Sequence, residues 1–124
     1  MNSKKIIENI TDWLINYSEK SNTNGFVVGV SGGVDSAVTS TLCAQTGLPT
    51  LCLDLPILQS KKEHDRAKKH IDWLKDKYKK TSSKSIDLSE SFLSFKNSVE
   101  INSNKNNLLC RANSRSRLRM APLY

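Results

Sequence analysis

The stretch Phe26-Val27-Val28-Gly29-Val30-Ser31-Gly32-Gly33-Val34-Asp35-Ser36-Ala37-Val38 decides the fold of this chain. A short valine-rich run, the pattern of a buried strand, stops at Ser31-Gly32-Gly33, and a helix-compatible stretch begins at once. Strand, glycine turn and helix N-terminus in that order make backbone N–H groups converge on an anion, above all a phosphate. Gly32 and Gly33 let a ligand approach the backbone closely and permit positive φ. Ser31 and Ser36 flank the turn with hydroxyl groups. The usual P-loop places Lys-Ser/Thr after its last glycine, whereas here Val34-Asp35-Ser36 follows. A carboxylate beside phosphates makes sense with a divalent cation between them. A first-turn aspartate also gains about 0.3–1 kcal/mol from the helix dipole alone. The bare pattern therefore leaves two readings of Asp35 open, a metal-assisted phosphate site and an ordinary helix start.

Outward from this stretch, apolar periodicity organises the rest of the chain. Ile6, Ile10, Trp13, Leu14 and Tyr17 recur at helical spacing, so residues 3–20 read as an amphipathic helix. Phe26–Val30 reads as the first strand and Ser36–Gln45 as a helix ending at Gly47. Pro49 leads into a second apolar strand, Thr50–Leu55, closed by Pro56. Ser60-Lys61-Lys62-Glu63 is a capping-box pattern, and Ala67, Ile71, Leu74 and Tyr78 continue one helical face behind it. Ser85–Leu88 reads as a short third strand, followed by a helix through Phe92, Phe95 and Val99. Asn102–Asn107 reads as a polar loop and residues 108–121 as a last helix rich in arginine. Helices alternating with apolar strands argue for a Rossmann-like α/β fold, a parallel sheet flanked by helices on both faces. Ligands of such sheets sit at the carboxyl ends of the strands, where the glycine turn and the Leu53-Asp54-Leu55-Pro56 exit both fall.

The chain has 124 residues, enough for one core of modest size, and shows no internal repeat. Its net charge of +7 suits an anionic partner, although most of the lysines punctuate amphipathic helices as a solvated surface. Cys43, Cys52 and Cys110 are widely spaced and form neither a CxxC pair nor a Cys/His cluster. No hydrophobic run approaches membrane-spanning length and the N-terminus lacks a signal-peptide core, so a reduced, cytoplasmic protein without a membrane partner is expected. His64 and His70 sit among lysines and read as surface residues. Trp13 and Trp73 read as core or interface, and Asp54 as a group able to touch a ribose or an adenine.

Ser31-Gly32-Gly33-Val34-Asp35-Ser36 resembles the SGGxDS pyrophosphate loop of the ATP-pyrophosphatase superfamily, the adenine-nucleotide alpha-hydrolase-like fold. Members of that superfamily split ATP between its α and β phosphates and adenylate a substrate oxygen, after which a nucleophile displaces AMP. Asn113-Ser114-Arg115-Ser116-Arg117-Leu118-Arg119-Met120, followed by Leu123-Tyr124, resembles the N-x-x-x-R-x-R-M helix of NAD synthetases. The resemblance spans residues 6–124 and implies an ammonia-dependent ligase with ATP and magnesium as cofactors. Its substrates would be nicotinate adenine dinucleotide (deamido-NAD) and ammonia. It implies that Gly29, Val30, Ser31, Gly32, Gly33, Val34, Asp35 and Ser36 bind ATP. Asp35 would hold magnesium, with Ser31 and Ser36 as its catalytic neighbours. Arg117 would contact the dinucleotide, with Asn113 and Arg119 as further substrate candidates. Family members are homodimers, so a homodimer is implied as well.

Two features depart from the family pattern. Ala112 stands where glycine is common, and the expected later strands and ligands do not follow Tyr124. Residues 1–124 are therefore expected to be the N-terminal part of a single such domain, with an incomplete sheet and no synthetase activity alone. Three alternatives remain: amidation of nicotinate mononucleotide, a tRNA-modifying ATP pyrophosphatase, and a non-catalytic nucleotide-binding or dimerisation fragment. The positive charge keeps the second in view, but the arginine helix and the lack of a cysteine pair weigh against a nucleic-acid partner.

Overall fold

Three parallel strands in the order β1-β2-β3 carry the molecule: β1 (Phe26–Gly29), β2 (Thr50–Asp54) and β3 (Thr81–Ser85). The computed structural model describes residues 2–99 and 107–124. Phe26 pairs with Thr50 and Gly29 with Leu53, while Thr50 pairs with Thr81 and Asp54 with Ser85. Parallel neighbours need crossover connections, and α2 (Val34–Gln45) and α3 (Lys61–Lys77) supply them. Ahead of β1 lies α1 (Ser3–Lys20), and after β3 come α4 (Ser89–Val99), α5 (Asn107–Met120) and a 3-10 turn at Ala121–Leu123. The expected asparagine-rich loop lies, except for Asn107, outside the described residues.

Alternation along β2 sends its side chains to two cores. Cys52 joins Val30, Ala44, Ala67, Ile71 and Leu74 under α2 and α3. Leu53 and Leu55 join Ile57, Leu88 and Phe92 on the opposite face, where Leu118 and Leu123 close the cluster from the chain's end. Each fully buried leucine or isoleucine contributes roughly 1.5–3 kcal/mol of transfer free energy. Both described cysteines are free and buried, and burial pushes their thiol pKa values up, which leaves them as inert packing groups.

Local chemistry sets the helix ends. Asn2 caps α1 by accepting from the Lys5 N–H at 3.3 Å. Ser60 caps α3 by accepting from the Glu63 N–H at 3.3 Å, the serine half of the capping box. Gly47 follows α2 at φ +78°, the left-handed position that suits glycine.

Three expectations need correcting. The third strand is Thr81–Ser85 rather than Ser85–Leu88. Its polar side chains leave only Thr81 buried, as suits an edge strand held by its backbone, while Ile86 and Leu88 pack into the second core beyond it. His70 is not a plain surface residue, since its Nε2 lies 2.9 Å from the hydroxyl of buried Ser40. Of the core-or-interface reading of Trp13 and Trp73 the core half falls, at 60% and 47% exposure, and the interface half stands open. The apolar face of α1 lies open, with Ile6, Ile10 and Tyr17 exposed and the Trp13 and Tyr17 rings stacked at 5.3 Å.

Candidate nucleotide site at the strand ends

The Val30 N–H donates to the Leu53 carbonyl at 2.9 Å, which keeps the chain beside β2 until the turn begins. Gly32 adopts φ +88° and Gly33 is the N-cap of α2 in extended conformation. A Cβ at Gly32 would lie 2.6 Å from the Glu63 carbonyl oxygen in the first turn of α3. Only glycine lets the loop and α3 approach this closely. A Cβ at Gly33 would meet nothing nearer than Ser31 Oγ at 3.5 Å, so that side of the loop opens outward.

Ser36 folds the turn back on itself. Its hydroxyl accepts from the Ser31 N–H at 3.1 Å, meets Ser31 Oγ at 3.2 Å, and donates to the Gly33 carbonyl at 3.3 Å. Gly33 offers no side-chain cap, and the first backbone N–H groups of α2 face outward with the positive end of the helix dipole. Asp35 stands in this first turn with an exposed side chain. The loop is thus a shaped anion cradle with one carboxylate at its edge. Among the described residues no three His, Cys, Asp or Glu side chains cluster as a metal cage. A lone carboxylate fits a magnesium ion that takes its remaining ligands from substrate phosphates and water.

Two adjoining hollows lie beside the cradle. The first, of 130 Å³, has walls from Gly29, Val30, Ser31, Leu53, Leu55 and Leu123, with Gln59 and Arg119 at its border. The second, of 440 Å³, is polar and lined by Gln59, Ser60, Glu63, Arg115, Ser116 and Arg119, against Ile57 and Leu58. Gln59 and Arg119 belong to both. Arg119 Nε donates to the Leu55 carbonyl at 2.9 Å, which anchors α5 to the exit of β2. Burial, and then the neighbouring Arg115, pull the Arg119 guanidinium pKa down, partly offset by Glu63 and Asp54. Arg115 lies over the Phe92 ring at 5.9 Å. Two guanidinium groups four residues apart on one helical face make this hollow receptive to an anion.

The sequence-derived candidates are not all brought together. Gly29, Val30, Ser31, Gly32, Gly33, Val34, Asp35 and Ser36 form one continuous element at the cradle, and Arg119 faces the hollows beside it. Arg117 and Asn113 are exposed and line neither hollow. The sequence reading favours Arg117 for the substrate and does not count Arg115, Gln59 or Ser60 among the site residues. The four-residue spacing of Arg115 and Arg119, and the Leu55-Pro56 exit pointing at residues 57–60, were the available signals. Asp54 turns toward α3 and is buried at 5% exposure. Its Oδ2 accepts from Ser85 Oγ at 3.3 Å and lies 3.1 Å from His64 Nδ1, close enough for an ion pair but out of hydrogen-bond alignment.

A parallel sheet with a glycine turn between β1 and the N-terminus of α2 makes this an α/β protein whose strand ends are the place for a ligand site. The profile of the NAD synthase family matches residues 6–124, and the chain belongs to that family. It is 34% identical over its whole length to the NH(3)-dependent NAD(+) synthetase of Finegoldia magna, of which it covers 48%. Over 96% of its length it is 37% identical to that of Saccharolobus solfataricus. Among solved structures it is similar to an NMN synthetase from Francisella tularensis, with TM-score 0.86, 30% identity and 49% of that chain covered. It is likewise similar to the NH3-dependent NAD synthetase from Campylobacter jejuni, with TM-score 0.84, 28% identity and 51% covered. The chain spans about half the length of the relatives it matches.

Proposed function

We propose that these 124 residues form the N-terminal, ATP-binding part of a single ammonia-dependent NAD synthetase domain. The observation that carries this reading is the glycine cradle capped by α2, within a chain of the NAD synthase family. The reaction is deamido-NAD plus ammonia plus ATP giving NAD, AMP and pyrophosphate, by way of an adenylated carboxylate. The N–H groups at the start of α2 and the Ser31 hydroxyl hold the leaving pyrophosphate, with the Ser36 hydroxyl bracing the turn, so that donors are aimed before the ligand arrives. Asp35 holds magnesium, whose chemistry is to neutralise phosphate charge and improve the leaving group. Arg115 and Arg119 receive an anionic group of a substrate in the polar hollow, and Arg117 and Asn113 bind the dinucleotide from the outer side of α5. The remaining ligands come from residues beyond these 124, so this portion binds nucleotide without turnover. The protein works in the cytoplasm, and among the described residues no helix is long and apolar enough to cross a membrane. A second copy of the chain covers the open face of α1, giving a homodimer.

Calorimetric titration of a non-hydrolysable ATP analogue into the chain tests this. Binding strengthened by magnesium, with that gain lost in Asp35→Asn, is expected. Equal affinity with and without magnesium in the parent chain would remove the metal role from Asp35. A second reading, amidation of nicotinate mononucleotide, is favoured by the similarity to the Francisella tularensis NMN synthetase. Competition between mononucleotide and deamido-NAD for the arginine hollow separates the two.

A further inference from the structure

Helix α3 reaches the glycine cradle by two routes. One is steric, where the Glu63 carbonyl occupies the space a side chain at residue 32 would need. The other is a run of hydrogen bonds that begins at His70. His70 Nε2 lies 2.9 Å from Ser40 Oγ, and Ser40 is fully buried in α2. The Ser40 hydroxyl also reaches the Ser36 carbonyl at 2.7 Å and the Ala37 carbonyl at 3.1 Å. A hydroxyl has one proton to donate, and those carbonyls take it. The contact with His70 is therefore satisfied by Nε2–H donating to Ser40 Oγ. Ser36 carries the run onward through its own hydroxyl to the Ser31 N–H and the Gly33 carbonyl. The His70 ring is held in plane by stacking on Trp73 at 5.8 Å. Burial pushes the imidazole pKa down, partly offset by the Ala37 backbone carbonyl, which favours the charged ring.

Packing alone does not call for this arrangement. An alanine and an apolar ring would fill the same space without the cost of burying polar groups. The run leads from the middle of α3, through the buried Ser40 hydroxyl, to the residue whose own hydroxyl folds the cradle.

We propose that His70 is a positioning residue for the phosphate cradle. Through Ser40 it holds the first turn of α2, and with it the Ser36 hydroxyl and the N–H groups that receive the pyrophosphate of ATP. The ligand part of this proposal rests on the nucleotide reading of the loop. A cradle already in its binding geometry loses less freedom when the anion docks, so the effect falls on affinity rather than on folding.

The test compares His70→Gln, whose amide N–H can replace the Nε2 donor, with His70→Phe, which keeps a ring but no donor. Affinity of the chain for inorganic pyrophosphate and for ATP is measured by calorimetry, with thermal melting and amide exchange alongside. His70→Phe is expected to weaken both ligands by about tenfold, the scale of one well-placed hydrogen bond. His70→Gln is expected to retain parental affinity at a melting temperature matching that of His70→Phe. Equal affinity in all three proteins, or losses that simply follow melting temperature, would overturn the proposal. If the parent chain binds neither anion, the nucleotide reading fails by itself. The positioning role is then decided by exchange at the Ser31 N–H. Faster exchange in His70→Phe but not in His70→Gln supports it, and unchanged exchange overturns it.

Discussion

Helices α1 and α3 have nearly the same length and the same kind of apolar periodicity, yet they end in different surroundings. Helix α3 buries Ala67, Ile71 and Leu74 against the sheet and α2, whereas in α1 the one fully buried residue is Ser18. The difference follows from position in the chain. Helix α3 joins two neighbouring parallel strands and is thereby tied to the sheet face. Helix α1 precedes the first strand, carries no such tether, and packs on α2. Periodicity tells which side of a helix is apolar, while connectivity decides whether the same chain covers it.

Substitutions on the two helices put the largest strain on this contrast. Leu74→Ala is expected to destabilise the chain by about 2–5 kcal/mol in urea unfolding, because it opens a cavity in a fully buried site. Trp13→Ala at equal protein concentration is expected to change monomer stability by less than about 0.5 kcal/mol. Trp13→Glu should instead shift sedimentation from dimer to monomer, and a parent chain monomeric at every concentration would break the homodimer reading.

The cradle sharpens the contrast from another side, since α3 supports it and α1 does not. Gly32→Ala combines a positive φ with a collision at Glu63 and should cost about 1–3 kcal/mol in the melt. Gly33→Ala should leave stability within about 0.5 kcal/mol, since its φ is ordinary and its Cβ meets only Ser31 Oγ at van der Waals distance. Similar destabilisation in the two variants would show that the loop does not lean on α3.

The smallest effect is one of pH. Burial holds the His70 imidazole below its ordinary 6.5, so on acidification the unfolded chain takes up a proton before the folded chain does. Stability should therefore decline as pH falls below about 6.5 and level off beneath the folded-state pKa. Chemical denaturation across that range, in the parent and in His70→Gln, should show a flatter curve in the variant.

The order of elements and the parallel sheet were legible because valine runs, glycine turns and the Ser60 cap each act over a few residues. The cradle was legible for the same reason, since residues 29–36 form one local element. What escaped depended on contacts between distant residues. Strand β3 carries almost no apolar signal, because its place is set by backbone pairing to β2. His70 looked like its lysine neighbours, since nothing near it in sequence announces Ser40, 30 residues away. The family motif drew attention to Arg117, while the fold turns Arg115 and Arg119 toward the hollow beside the cradle.

The bond from Arg119 to the Leu55 carbonyl also bears on the order of assembly. It joins residues 64 apart, and closing so long a segment carries an entropy cost that no local contact offsets. The strands and α3 can form before that bond exists, but the arginine hollow cannot. Release of α5 should therefore open the arginine hollow while the glycine turn between β1 and α2 stays in place, since no bond of that turn spans so long a segment.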